Sequence, residues 1–161
     1  MAFREKILDS SQLAAWRQDL RRRGQKLVVT NGCFDLLHLG HVTYLERARQ
    51  EGDALLVGVT SDAGVQTLKG AGRPLNTAED RAAVLAALQC VDAVYIFPEL
   101  DARNFLLQVK PDIYTKGGDY TIDTINQDER RLLEAESIRI VILPLVPGKS
   151  TTALLRKIHT L

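Results

Sequence analysis

The sequence predicts an α/β fold: a Rossmann-like, doubly wound parallel sheet of about five strands with helices on both faces, in a single domain over 1–161. Three observations carry that prediction. Short β-branched runs alternate with helix-length amphipathic stretches along the chain, the pattern of a parallel sheet with crossover helices. One run, 54–60 (ALLVGVT), is apolar almost throughout, as a strand buried on both faces must be. The glycine-rich and polar breaks follow strands, at the edge where open α/β sheets bind ligands.

Taken in order, Ser10 or Ser11 can cap a first helix through Leu13, Trp16, Arg17 and Leu20, and Gly24 is placed to stop it in the left-handed conformation. Residues 1–25 thus read as a packing helix and 26–161 as the core. The first strand is 26–30 (KLVVT), ended by a turn at Asn31-Gly32. Val42, Leu45 and Ala48, with Tyr44 between them, keep helical spacing up to Gly52, and the second strand is 54–60. The stretch 67–76 (TLKGAGRPLN) holds two glycines, a proline and two cations and is predicted as loop. A helix at 78–88, a strand at 93–97, a helix at 102–109 and a strand at 113–115 follow. A second loop at 116–121 (KGGDYT), a polar helix at 127–135, a strand at 138–143 and a helix at 151–158 complete the chain.

Composition excludes several functions. With 21 Lys+Arg against 20 Asp+Glu the net charge is +1, so there is no basic excess for nucleic acid, and 6% aromatic residues provide no stacking platform. The two cysteines, Cys33 and Cys90, are too far apart for a CxxC redox or zinc knuckle, and a reducing cytoplasm is the simplest compartment. Arg4, Glu5, Lys6 and Asp9 interrupt any secretory h-region, and no apolar run approaches the ~18 residues of a membrane helix. The expected ligand is small.

Two of the three histidines, His38 and His41, lie three apart at the start of a predicted helix. Both rings can share one face beside free N–H groups and the positive end of the dipole, which suits a phosphate. Gly40 between them leaves the backbone open to close approach. Three other readings stand beside this one: a pair of capping or surface imidazoles, a zinc site using Cys33, His38 and His41, and a purely capping role for Asp35. Near the C-terminus, Gly148-Lys149-Ser150 lacks the glycine of a P-loop, because Leu143 stands five residues earlier. What remains is a hydroxyl-rich helix start at Ser150, Thr151 and Thr152, able to cap backbone donors or bind phosphate. Lys69, Arg73 and Arg81 place cations where a phosphorylated acceptor needs neutralising. In KGGDY, Asp119 can accept from sugar hydroxyls and Tyr120 offers a packing face.

Gly32-x-Phe34-Asp35-x-x-His38-x-Gly40-His41 resembles the HxGH signature of the nucleotidyltransferase superfamily that includes cytidylyltransferases and pantetheine-phosphate adenylyltransferase. Together with LKGxGRP, EDRAAVL, KGGDY and LPLVxGxSTT, the chain from about Lys6 to Ile158 is similar to D-glycero-β-D-manno-heptose 1-phosphate adenylyltransferases. That resemblance implies AMP transfer from ATP to a sugar 1-phosphate, giving ADP-heptose and pyrophosphate. It also implies Mg²⁺ carried by the ATP phosphates, with no metal ligand from the protein. By the same resemblance His38, His41 and Lys69 are catalytic. Gly32, Cys33, Phe34, Gly40, His41, Gly148, Ser150, Thr151 and Thr152 surround the nucleotide, and Asp35, Lys69, Arg73, Arg81, Lys116 and Asp119 surround the acceptor. The pattern is broken at Leu145, where cytidylyltransferases have arginine, at Pro147, where an acid is usual, and at Lys149, where an aromatic is usual. Many relatives are fused to a sugar kinase, for which 161 residues leave no room, so a separate kinase is expected; a homodimer is implied by the superfamily alone. Two alternatives accompany this reading: a cytidylyltransferase for glycerol 3-phosphate or another polyol phosphate, and a regulatory module that binds nucleotide without turnover.

Overall fold

The computed structural model describes residues 2–118, 120–144 and 146–160. Five strands, β1 (Leu27–Gly32), β2 (Ala54–Thr60), β3 (Ala93–Phe97), β4 (Ile113–Gly117) and β5 (Arg139–Leu143), pair in parallel in the order β3-β2-β1-β4-β5. Around them lie α1 (Ser10–Arg22), α2 (Leu39–Gln50), α3 (Asp62–Lys69), α4 (Ala78–Ala86), α5 (Arg103–Val109), α6 (Gln127–Ala135) and α7 (Thr151–His159). The chain begins at the central strand, winds outward through β2 and β3, then crosses to β4 and β5. The direction reverses between β1 and β4, which opens a crevice above their carboxyl ends.

Strand alternation builds a core on each face. Leu27, Val29, Leu56 and Tyr114 pack with Leu13 and Leu20 of α1, Phe105 and Leu106 of α5 and Leu133 of α6. Val28, Leu55, Val57 and Ile113 point the other way, onto Tyr44, Leu45 and Ala48 of α2 and Ala82 and Leu85 of α4. Every residue of β2 is buried, as its unbroken apolar run requires. Its one gap in side-chain volume is deliberate in effect: a Cβ at Gly58 would sit 2.6 Å from Cε1 of Phe105. The Phe105 ring fills that space and stacks between Tyr95 and Phe97, with centroids 5.7 and 5.5 Å away.

Several boundaries differ from the sequence reading, for local reasons. The first helix is capped by Asp9, whose carboxylate accepts from the Ser11 and Gln12 amides, so both serines lie inside it; Gly24 does take the left-handed conformation, at φ 65°. The stretch expected to be loop from residue 67 is helical up to Lys69, because Ser61 caps α3 through the Gly64 amide. β1 continues through Asn31 and Gly32, and the turn falls at Cys33–Asp35. β4 likewise runs on through Lys116 and Gly117. Both extensions carry polar strand ends into the crevice. Among the described residues, no helix is long and apolar enough to cross a membrane.

Replacing Gly58 by alanine should lower stability by roughly 1–3 kcal/mol through overpacking against Phe105. A denaturant titration should show a lower midpoint with an unchanged slope.

Candidate active site

Strand β1 delivers the chain into the crevice through one tight turn. Phe34 adopts a left-handed conformation, φ 48°, which is uncommon for a residue with a Cβ. Its ring is buried, lies against Gly32 and meets the His41 ring edge-on at 5.4 Å. The turn leaves His38 as the residue preceding α2, with its side chain making no cap. The His38 ring instead stacks on that of His41, centroids 3.9 Å apart and planes 26° from parallel. Gly40 makes this possible: a Cβ there would meet the His38 ring at 2.9 Å and Cβ of Lys149 at 3.3 Å.

The electrostatics of this pair follow from burial. Burial, helped by the neighbouring His38, lowers His41 to a pKa of about 4; the Leu36 backbone, short of hydrogen-bonding geometry, offsets only part of it. His38 is lowered by burial and then by the Lys149 ammonium. Both Nδ1 atoms are buried without a partner among the described residues. A neutral imidazole still carries one ring N–H, so each ring keeps one donor. Two neutral donors therefore stand at the start of a helix, beside its free amides.

A cleft of about 630 Å³ brings most of the candidate residues together. Gly32, Cys33, Phe34, Asp35, His38, Gly40 and His41 line its centre; Lys69 and Arg73 form one rim, Ser150, Thr151 and Thr152 another, and Lys116 a third. Lys149, the residue that breaks the expected aromatic position, also lines it. Ser150 caps α7 through the Ala153 amide, so its hydroxyl is partly engaged; Gly148, at φ 72°, turns the chain into that cap without lining the cleft. Asp119 and Leu145 lie outside the described residues.

Two residues expected around the acceptor have their polar groups taken up by protein: Arg81, which does not line the cleft, and Asp35, which does. The Arg81 side chain is fully buried and uses four of its five N–H groups: it donates to the carbonyls of Cys33 (2.6 Å), Thr60 (2.8 Å) and Asn76 (3.1 Å) and to Asp62 (2.7 Å). It thereby ties together the ends of β1 and β2 and the start of α4. Asp35 accepts from the Leu75 and Asn76 amides and from Nε of Arg73 at 2.7 Å. Burial pushes its carboxyl up, but these donors together prevail and hold it below the usual carboxylate range. Arg73 is thus committed to Asp35, and the 70–76 loop is strapped onto the β1 turn. Lys69, at the end of α3, is exposed and makes no ion pair among the described residues.

The wall contributed by the other sheet face escaped the motifs. Asn31, Phe97, Leu100, Asp101, Asn126 and Glu129 line it with Lys116 and Tyr120. Burial lowers the Lys116 pKa because its ammonium sits deep among neighbouring atoms although the residue keeps surface on the cleft; Glu129 opposes that shift. Strand parity was the available signal: Asn31 falls on the same face as Val29, and Lys116 on the same face as Tyr114.

A doubly wound sheet whose switch-point crevice is lined by both an HxGH imidazole corner and a hydroxyl-rich helix start has the architecture of the cytidylyltransferase-like class. A family model described as cytidylyltransferase-like matches residues 29–157, and the chain belongs to that family. It is 48% identical over 153 residues to a protein named "Bifunctional protein HldE" from Pseudomonas fluorescens (strain SBW25), and 49% identical to the one from Pseudomonas putida (strain GB-1). Each match covers 95% of this chain and 32% of the relative, so the chain spans about a third of their length. Among solved structures, the lipopolysaccharide core biosynthesis protein from Thermoplasma volcanium GSS1 superposes with a TM-score of 0.64 at 30% identity, over 76% of this chain and 98% of that one. Pantoate-beta-alanine ligase from Francisella tularensis shares the fold alone, with a TM-score of 0.58 at 16% identity over 96% of this chain and 78% of that one.

The His41 shift predicts a titration and a stability trend. Its folded pKa lies below the unfolded one, so between about 6.5 and about 4 the unfolded chain binds the extra proton and stability falls as pH falls. Carbon–proton NMR of the imidazoles should show His41 titrating near 4 in the free protein and moving upward when ATP is added, since phosphate charge favours the imidazolium.

Proposed function

We propose that the chain transfers AMP from ATP to a sugar 1-phosphate, most specifically D-glycero-β-D-manno-heptose 1-phosphate, releasing pyrophosphate and ADP-heptose. One observation carries the reading: the stacked imidazoles, the hydroxyl-rich start of α7 and lysines from α3, β4 and the β5–α7 connection line a single cleft. The choice of sugar rests on the similarity of NGCFDLLHLGH, LKGAGRP, EDRAAVL, KGGDY and the LPLV…STT segment to heptose 1-phosphate adenylyltransferases. The Thermoplasma volcanium relative is a protein of lipopolysaccharide core biosynthesis, which agrees with a heptose donor as product.

In this reading the triphosphate lies between His38 and His41 on one side and Ser150, Thr151 and Thr152 on the other. An oxygen of the acceptor's phosphate attacks the α-phosphorus; the new P–O bond forms as the bond to the β-phosphate oxygen breaks, and pyrophosphate leaves. The nucleophile is already an oxyanion, so no base is required, which fits imidazoles that burial keeps neutral. Their ring N–H groups serve as donors for the charge that grows on the α-phosphate and leaving group. Lys69 and Lys116 neutralise the acceptor, and Lys149 the triphosphate. Arg81, Asp35 and Arg73 act indirectly by holding the turn and the 70–76 loop.

Among the described residues there is no group of three His, Cys, Asp or Glu side chains placed to bind a metal. Magnesium would enter with the ATP and help to neutralise the triphosphate charge. A reaction between ATP and a sugar phosphate belongs in the cytoplasm, and a sugar kinase activity, on this or another chain, supplies the acceptor. A homodimer is part of the same reading.

Pyrophosphate release should be measured across the four nucleoside triphosphates and a set of sugar and polyol phosphates. ATP with heptose 1-phosphate should be the best pair. CTP with glycerol 3-phosphate as the best pair would contradict the proposal, and nucleotide binding without pyrophosphate from any pair would indicate a regulatory module. His41→Ala should lower kcat at least about 100-fold while KM for ATP changes only a few-fold, because the lost donor acts on transition-state charge.

A further inference from the structure

We propose that Asn31 is a substrate-facing donor: its side-chain N–H₂, beside the Lys116 ammonium, forms a corner that receives an oxygen of the acceptor's phosphate. This deepens the acceptor reading given above and rests on it.

The geometry fixes which way the amide points. Oδ1 of Asn31 accepts from the Tyr114 hydroxyl at 2.7 Å and from Nζ of Lys116 at 3.2 Å. An ammonium has only protons to offer, so the group facing it must be the oxygen, and Nδ2 is turned away from Lys116. Among the described residues Nδ2 makes no hydrogen bond, although Asn31 lines the cleft. Lys116 spends one of its three N–H groups on Asn31, and its Nζ sits 5.7 Å from the ring centroids of both Tyr114 and Tyr120. The corner therefore keeps spare donors from two side chains, one of them charged.

A buried chain behind it keeps these groups in place. Glu129, 5% exposed, accepts from the Ala102 amide at 3.1 Å through one carboxylate oxygen, while the other lies 3.2 Å from the Tyr114 hydroxyl and shares its single proton with Asn31. Tyr114 in turn holds Asn31. Glu129 and Tyr114 are positioning residues; Asn31 is the group that reaches substrate.

Strand parity sets the corner's chemistry. Asn31, Tyr114 and Lys116 project on the α5–α6 face of the sheet, whereas the imidazoles stand at the start of α2 on the other face. In an in-line displacement the attacking oxygen arrives opposite the leaving group. If the imidazole side holds the departing pyrophosphate, the Asn31–Lys116 side holds the incoming phosphate.

The substitution Asn31→Asp separates a binding role from a scaffolding one. It keeps an oxygen for Lys116 and Tyr114 and replaces only the donor by a carboxylate oxygen, which repels phosphate. Inorganic phosphate is the probe, titrated calorimetrically into protein saturated with a non-hydrolysable ATP analogue so that the imidazole side is filled. Asn31→Asp and Lys116→Met should each weaken phosphate binding at least about 10-fold, with affinity for the analogue unchanged. Phosphate binding by Asn31→Asp equal to wild type would overturn the proposal, as would a wild type that binds no phosphate. A measurement on the unmodified chain gives the same decision: the Asn31 side-chain ¹⁵N–H₂ resonance should shift on phosphate addition, and a stationary resonance would overturn the assignment. Product analysis of wild type with heptose 1-phosphate is read separately. Absence of ADP-heptose alongside the expected phosphate pattern would reject the sugar while the corner stands.

Discussion

The cleft depends on the turn that takes the chain out of β1. Phe34, in its left-handed conformation, reverses the backbone within three residues and seals the reversal by burying its ring against Gly32 and His41. A non-glycine residue in that region costs on the order of 1–2 kcal/mol, so neighbours must over-determine it. They do: Arg81 takes the Cys33 carbonyl, while Asp35 gathers the Leu75 and Asn76 amides and Arg73. Relaxation of the turn to an ordinary extended path would take the Phe34 ring off His41.

The same turn divides the cleft by charge. On the α2 face the donors are imidazoles that burial keeps neutral, so they gain charge only when phosphate is present to stabilise it. On the α5–α6 face the donor is an ammonium braced by Asn31, Tyr114 and Glu129. Exposed cations, Lys69 and Lys149, stand at the rims. In the proposed reading a phosphate on each side would meet a different kind of partner, which would orient an otherwise nearly symmetric encounter between two phosphorylated molecules.

Much of this was legible along the chain, and what was not has physical reasons. β2 announces itself because both faces are buried, and His38 and His41 because local spacing alone sets them on one side of a helix start. α3 was hidden: it has eight residues, includes Gly64 and runs into a glycine-rich loop, so its cap at Ser61 matters more than its composition. Arg81 reads as an acceptor ligand from its neighbours in sequence, yet the carbonyls that consume it come from Cys33, Thr60 and Asn76, contacts only the folded sheet creates. Asn31 reads as turn punctuation. Its role follows from the strand continuing one residue beyond it and from Tyr114 lying alongside on β4.

The most direct test is a crystal structure of the protein with a non-hydrolysable ATP analogue and magnesium. The account predicts the α- and β-phosphates within hydrogen-bonding distance of Nε2 of His38 and His41, with the triphosphate also touching the Ser150–Thr152 segment. Phosphates bound away from both segments, or a nucleotide seated with its base against the imidazoles, would contradict it.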